Sequence, residues 1–396
     1  EPVMRGRAQS IATSDDDMLT WTKRSEPIID HPPHEIVDSE LRKAPINWSL
    51  RRRVDDHLQH GQLTAWHDPH VWGSNNDWNL ILGSGFMGIG GAVLLYRSRN
   101  LLDWEYQHPL CVGDQPEFNR WLVPDFFPLD GRHILLTVAT TRGSSSKKIY
   151  QIGHYKNHKF YPEDEGFTDS DDAELGPFGC ARTLTAPDGR CILFGRISEQ
   201  RPHDTNLFGW ASVLSLPRVL SVGENGLLRM EPAHEICESG QPDWEITDTN
   251  ISPECPIDSG LNDDALEIKA EISPRNARSV GLRVRRSPDG QEETTIRYEP
   301  ATDRLTIQLD KASLDPRVNG KTIGTTAHAS TDRTLRLHVF LDRSVLEVFC
   351  GGRSCLSARL YPTRQDSTGI QAFAERGNAT LDVMTVWRKQ SIGLYC

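Results

Sequence analysis

The chain has 396 residues, 44 basic and 55 acidic, giving a formal net charge of −11, with 37% hydrophobic and 25% charged side chains. That is an ordinary globular composition, long enough for two domains at about 150 residues each. The acidic balance, with no basic run longer than Arg51-Arg52-Arg53, speaks against nucleic acid as a partner. Apolar runs no longer than Ala92-Val93-Leu94-Leu95-Tyr96 fall far short of the roughly 18 residues of a membrane helix, so no membrane span is expected.

In chain order, Ser14-Asp15-Asp16-Asp17-Met18-Leu19-Thr20-Trp21 comes first and is echoed by Ser98-Arg99-Asn100-Leu101-Leu102-Asp103-Trp104, each with a Ser and then a Leu two residues before Trp. A repeat on this scale points to one sheet per unit, as in a propeller. Ser49 caps a predicted helix whose Leu50, Val54 and Leu58 recur every four residues up to Gly61. Strands are predicted at Trp78–Leu82, Ala92–Tyr96, His133–Val138 and Cys191–Gly195, with Gly, Pro, Asn and Asp between them. The repeat character ends near Ser215-Leu216-Pro217-Arg218. Alternation resumes after about residue 260, as in Leu305-Thr306-Ile307-Gln308-Leu309, then in Leu335–Phe340 and Val345–Phe349. The resulting division is a propeller over 1–225, a linker over 226–259 and a β-sandwich over 260–396.

Several motifs imitate chemistry. Gly83-Ser84-Gly85-Phe86-Met87-Gly88 spells the dinucleotide fingerprint, but a strand follows it where the mechanism needs a helix, so it is read as a glycine-rich turn. His57, His60, His67 and His70 crowd together, yet surface histidines on the inserted helix and its loop account for them, and no metal or other cofactor is expected. Asp169, Asp171 and Asp172 imitate a calcium loop without its sixth-position Gly and are read as solvated. Trp66-His67-Asp68-Pro69 places an aromatic ring and an imidazole beside an Asp that the following Pro should hold extended.

Eight cysteines show neither Cys-x-x-Cys nor zinc-finger spacing. Cys180 with Cys191, and Cys350 with Cys355, flank predicted turns and could bridge hairpins. Sequons at Asn47, Asn250 and Asn378 point the same way, toward a secreted glycoprotein, with processing or truncation upstream of Glu1-Pro2-Val3.

Taken together, the residues resemble glycoside hydrolase family 32, the invertase, inulinase and fructosyltransferase group. The resemblance runs through Ala8–Ala12, Leu19–Lys23, His67-Asp68-Pro69, Gly90–Ser98, Trp121 with Pro124-Asp125-Phe126-Phe127, Gly209-Trp210-Ala211, Ser215–Arg218 and Val339–Phe349. It implies an all-β chain, a five-bladed β-propeller followed by a β-sandwich. It also implies that blade one and part of blade two, with the nucleophilic Asp, are missing from this chain, and hence an N-terminal fragment or a second copy covering the open edge. Where the family has its acid/base Glu and the following Cys, this chain has Leu122 and Val123. Where it has Arg-Asp-Pro, the chain has His67-Asp68-Pro69.

Leucine neither donates nor accepts a proton, and loss of general acid help commonly costs about 10²–10⁴-fold in rate. An apolar residue on the pocket floor also favours a hydrophobic ligand. The leading expectation is therefore a non-hydrolytic enzyme acting on a small molecule. Propeller proteins resembling this family serve as hetero-Diels–Alder pericyclases in fungal secondary metabolism, a chemistry that proximity can accelerate without a titrating pair. In that site His67 and Asp68 would be the polar groups, Trp66, Trp121 and Leu122 the apolar wall, and the 47–61 segment with Leu50, Val54 and Leu58 a lid. The alternatives are a catalytically dead fructan-binding protein and a residual β-fructofuranosidase or fructosyltransferase with a relocated acid such as Asp125.

Overall fold

The computed structural model describes residues 8–33, 63–141, 145–172, 176–201, 209–318, 320–329 and 331–390. The expected lid residues Leu50, Val54 and Leu58, the sequon at Asn47, and His57 and His60 lie outside the described residues. Two compact units emerge, Glu1–Gly166 and Phe167–Cys396.

In the first unit, β1 (Ala12–Thr13) pairs with β2 (Thr22–Lys23). Then come two four-stranded antiparallel meanders, the form of a propeller blade. One contains β3 (Leu63–Ser74), β4 (Asp77–Phe86), β5 (Gly90–Ser98) and β6 (Glu105–Val112). The other contains β7 (Arg120–Leu129), β8 (Arg132–Thr140), β9 (Ser146–Lys156) and β10 (Lys159–Phe167). The sequence repeat folds into a repeated turn. Ser14 Oγ accepts the Met18 N–H and Ser98 Oγ accepts the Leu101 N–H, each at 3.0 Å. Trp21 and Trp104 each donate the indole N–H at 3.0 Å to a carbonyl three residues back, that of Met18 or Leu101. Both of these residues are left-handed, with φ of 67° and 66°.

The second unit opens with a third blade-type sheet of β11 (Phe178–Thr185), β12 (Cys191–Ile197), β13 (Val213–Leu214), β14 (Arg218–Val222) and β15 (Leu228–Pro232). The sandwich strands are β16 (Trp244–Ile251), β17 (Ile257–Asn262), β18 (Ala265–Ser273), β19 (Ser279–Arg286), β20 (Thr294–Glu299), β21 (Arg304–Gln308), β22 (Ile323–Thr326), β23 (Leu335–Asp342), β24 (Val345–Cys350), β25 (Ser354–Arg359), β26 (Gly369–Glu375) and β27 (Ala379–Arg388). One six-stranded sheet has the order β16-β27-β18-β23-β24-β25, and the other β17-β26-β19-β20-β21-β22. Alternation puts Leu266, Ile268, Ala270 and Ile272 of β18 and Val280, Leu282 and Val284 of β19 into one shared core. Each such Leu, Ile or Val side chain contributes about 1.5–3 kcal/mol by leaving water. The segment expected as a linker, 226–259, instead carries β15 and β16. Each has a paired neighbour in its own sheet, β14 and β27.

The expected disulfides do not form. Cys180, Cys191, Cys350 and Cys355 are all unbonded. Along β11 and β12, Cys191 stands opposite Thr185 while Arg196 stands opposite Gly179, so Cys180 and Cys191 lie toward opposite ends of the strand pair. Cys350 stands opposite Ser354 and Cys355 opposite Phe349. That one-residue offset sends the two thiols to opposite faces of the sheet. The sequon residues Asn250 and Asn378 are both exposed. Among the described residues, no helix is long and apolar enough to cross a membrane.

Candidate functional site

Two X-Pro steps face each other in the first unit, and each distorts its strand. Proline cannot donate to a ladder, and strands accommodate it at bulges. Accordingly β3 shifts register between His67 and His70, and β7 between Leu122 and Asp125. Asp68, expected to be extended, instead has φ of 59°, and Val123 has φ of 50°. The pre-proline restriction disfavours the right-handed helical region, and here the bulge takes the left-handed region instead. For β-branched Val123 this stores strain on the order of 1–3 kcal/mol.

That strain buys one contact. The Val123 N–H donates to Asp68 Oδ2 at 3.0 Å, and the same oxygen lies 2.8 Å from His67 Nδ1. His67 and Asp68 side chains are 22% and 35% exposed, so the carboxylate is anchored yet reachable from solvent. Leu122 and Val123 are half-buried beside it. The strands come this close because β4 carries glycine. A Cβ on Gly83 would meet the Trp121 carbonyl oxygen at 2.4 Å, and one on Gly85 would meet that of Asn119 at 1.8 Å. Of the glycine motif, then, Gly88 lies in a turn at φ 75°, whereas Gly83 and Gly85 are strand residues that admit a neighbouring backbone.

His70, read from sequence as a surface histidine, is a β3 residue whose Nδ1 lies 2.8 Å from Oδ1 of the fully buried Asp125. Its Nε2 lies 3.1 Å from the Phe126 carbonyl oxygen. Asp125 is therefore committed to holding β3 against β7 and does not accompany Asp68 at the surface. Beyond it Trp72, Phe126, Tyr155 and Phe160 pack in tilted and edge-to-face pairs at centroid distances of 5.2–6.4 Å. The two tryptophans expected to wall an apolar chamber are also core residues. Trp66 is fully buried and donates its indole N–H to Tyr96 Oη at 2.9 Å. Trp121 is 4% exposed and fills the space left by Gly91 and Gly113.

In the second unit, Asp169 proves to be buried rather than solvated. It accepts the Ser357 hydroxyl at 2.8 Å and lies 3.3 Å from Arg218 Nη2. Arg218, fully buried, also donates to Thr168 O at 3.0 Å and Glu347 Oε2 at 2.9 Å. Its guanidinium stacks 4.0 Å from the Phe178 ring centroid. Burial pushes the Glu347 carboxyl above its ordinary value, against the pull of Arg218. Two sequence signatures, Ser215–Arg218 and Val339–Phe349, thus meet through Arg218 and Glu347, a pairing that sequence spacing alone does not reveal. Asp171 pairs with Arg304, and Asp172 lies 3.4 Å from the same guanidinium.

Elsewhere in this unit, Cys237, Glu267 and His338 bring ligand-type atoms within 4.8 Å of one another. However, the Glu267 oxygens already face His338 Nε2 at 2.7 Å, the Glu238 N–H at 2.8 Å and Lys389 Nζ at 3.2 Å. That hydrogen-bonded set, with an ammonium inside it, suits a structural anchor better than a cation.

The chain matches the glycosyl hydrolases family 32 N-terminal domain over residues 39–232 and the glycosyl hydrolases family 32 C terminal over residues 239–388. A sucrose-6-phosphate hydrolase of Zymomonas mobilis is 29% identical over 363 residues, covering 84% of this chain and 67% of the relative. The levanase of Bacillus subtilis is 24% identical over 407 residues, 96% of this chain and 54% of the relative. The chain thus spans roughly half to two thirds of these relatives. Among solved structures, fructan 1-exohydrolase IIa from Cichorium intybus aligns at a TM-score of 0.75 with 19% identity, over 94% of this chain and 76% of its own. Exo-inulinase from Aspergillus awamori aligns at 0.76 with 19% identity, over 97% and 74%. At such identities the structural likeness shows the all-β fold alone.

Proposed function

Because the chain belongs to glycoside hydrolase family 32, we propose that it recognises β-fructofuranosyl sugars of the sucrose and fructan class at Asp68 and hydrolyses them only residually. The observation that carries this reading is the Asp68 carboxylate, fixed by the Val123 N–H yet one third exposed. The family resemblance assigns that carboxylate to holding sugar hydroxyls, and an ionised acceptor held in place makes stronger hydrogen bonds than a neutral one. The relatives named as sucrose-6-phosphate hydrolase and levanase support the same substrate class. Turnover is limited by the other strand. A retaining glycosidase protonates the leaving oxygen from a carboxylic acid, and the position the resemblance gives to that acid is Leu122. Asp125, the other carboxylate of β7, is buried against His70 and offers no replacement. The cycloaddition reading loses its chamber, since Trp66 and Trp121 lie within the sheet packing.

Calorimetric titration of the full chain with sucrose, 1-kestose and inulin, alongside an assay of released fructose, tests this. Binding is expected, with fructose release about 10²–10⁴-fold below that of a family hydrolase run in parallel. Asp68→Asn keeps an acceptor for Val123 and tolerates the left-handed backbone, and it is expected to weaken binding at least about tenfold by removing the charge. Failure of all three sugars to bind, or equal binding by Asp68→Asn, overturns the reading.

A further inference from the structure

Within the second unit, beside the β23–β24 turn, a pocket of about 390 Å³ is lined by three arginines, Arg201, Arg285 and Arg343, with Ser344, Tyr361 and one carboxylate, Asp315. Arg285 sits where β19 shifts register between Arg283 and Arg286, and has φ of 49°. Such bulges re-aim a side chain out of the regular alternation. Arg285 is only 9% exposed, and its Nε and Nη1 are buried without a hydrogen-bond partner among the described residues. Asp264 Oδ2 is its ion-pair partner at 3.3 Å from Nη1. With its ion pair made through Nη1, a guanidinium so withdrawn from water leaves an Nε–H whose desolvation is uncompensated, and burial pushes its pKa below the ordinary arginine value.

The rest of the lining adds positive charge. Arg343 is exposed in the two-residue turn, with φ of 50°, and its backbone N–H donates to Asp264 O at 2.7 Å. It makes no ion pair among the described residues. Arg201 faces the Tyr361 ring at 5.2 Å, with Glu199 Oε1 3.5 Å from its Nε. The Asp315 carboxylate contributes little negative charge, since it already accepts from the Arg317 backbone N–H at 3.0 Å and its guanidinium at 2.9 and 2.8 Å. Three guanidinium groups line the pocket with one occupied carboxylate; Asp264 and Glu199, outside the lining, pair with Arg285 and Arg201, while Arg343 has no ion pair among the described residues, so the lining is cationic in a chain of net charge −11. Guanidinium groups that line one pocket from three segments suit a tetrahedral dianion better than a planar monocarboxylate, which one fork satisfies. The volume is within the range of small-ligand sites.

We propose that this pocket binds a phosphoryl dianion, either free phosphate or the phosphoryl group of a small phosphate ester. The pocket is lined by residues of the second unit alone and shares none with the Asp68 site, so the inference does not rest on the sugar-binding reading.

Thermal unfolding of the full chain is followed with inorganic phosphate, with glucose 6-phosphate, with glucose, and with potassium chloride at matched ionic strength. Both phosphoryl probes are expected to raise the midpoint at millimolar concentration, whereas glucose and chloride leave it in place. A larger rise with glucose 6-phosphate identifies an ester as the ligand, and equal rises identify the free ion. Both outcomes sustain the proposal. Arg343→Glu, at an exposed turn, is expected to fold and to weaken phosphate binding at least about tenfold. Arg285→Gln is expected to abolish it. No midpoint rise with either phosphoryl probe, or a rise of the same size in Arg343→Glu, overturns the proposal.

Discussion

Asp68 and Arg218 are both charged side chains held by hydrogen bonds, and their surroundings give them different uses. Asp68 keeps a third of its side chain in solvent. It can therefore exchange water for a ligand hydroxyl at small cost. Arg218 is sealed, with Asp169, Glu347 and Ser357 gathered about Nη2 and the Thr168 carbonyl accepting from Nη1. Its value lies in the contacts it would strand if lost. Arg218→Met is expected to cost about 3–5 kcal/mol in urea unfolding, because Glu347 and Asp169 would remain buried without their cation. Adding Glu347→Gln should recover part of that loss, since it removes one of the stranded charges and leaves an amide that can still accept the Leu216 N–H. A double variant less stable than the single one would show that Glu347 stabilises the fold without Arg218.

At the scale of elements, the glycines of β4 do what no side chain could. Gly85 lets the Asn119 carbonyl approach to where a Cβ would stand 1.8 Å from it, and the opposing atom is backbone that cannot swing away. Gly85→Ala is expected to destabilise the chain by about 1–3 kcal/mol or more through overpacking. Gly179→Ala, where a new Cβ meets nothing within 4 Å, should stay within about 0.5 kcal/mol. Equal urea midpoints for the two variants would remove the close-approach argument.

Strand alternation, the Ser-to-Trp repeat and the sandwich were legible in the sequence because period two and turn composition are local signals. Leu122 beside Asp68 was legible only through the family resemblance. The faces of Trp66 and Trp121 were not legible, because a bulge inverts alternation and no local signal marks on which side of it a tryptophan falls. Register misled in the same way for Cys350 and Cys355, where a one-residue offset decides between a bridge and two opposite faces. Asp169 looked like a loop carboxylate because its partner, Arg218, is distant in sequence.

Across the whole molecule, acid stability follows from how its buried and half-buried carboxylates are held. Glu292 is buried and accepts hydrogen bonds from the Ser367 and Thr363 hydroxyls and from the Leu314, Thr363 and Arg364 N–H groups. Burial pushes its pKa upward, but these bonds outweigh it and hold the carboxyl at about 2. Glu375, through Arg297, is also held below the ordinary value, as are Glu199 and Glu267, where hydrogen bonding overcomes burial. A carboxyl whose folded pKa is depressed contributes stability above its unfolded value of 4.5, and loses it as pH falls through the folded value. Glu347, raised by burial, has the opposite sign and favours the folded state as pH falls.

With Glu292, Glu375, Glu199 and Glu267 depressed against Glu347 and Glu165, both raised by burial, the thermal midpoint is expected to fall as pH drops from 4.5 toward 2. Glu292→Gln isolates the largest member of that set, since an amide keeps the shape but does not ionise. The variant should be clearly less stable than the parent at neutral pH, and the gap should close between pH 4.5 and about 2 as the parent's own Glu292 is protonated. Thermal scans of both proteins across that window measure the gap directly. A gap that stays constant with pH would mean that Glu292 acts through packing, and that its charge is not what fastens the Leu314 and Thr363 segments to the sandwich.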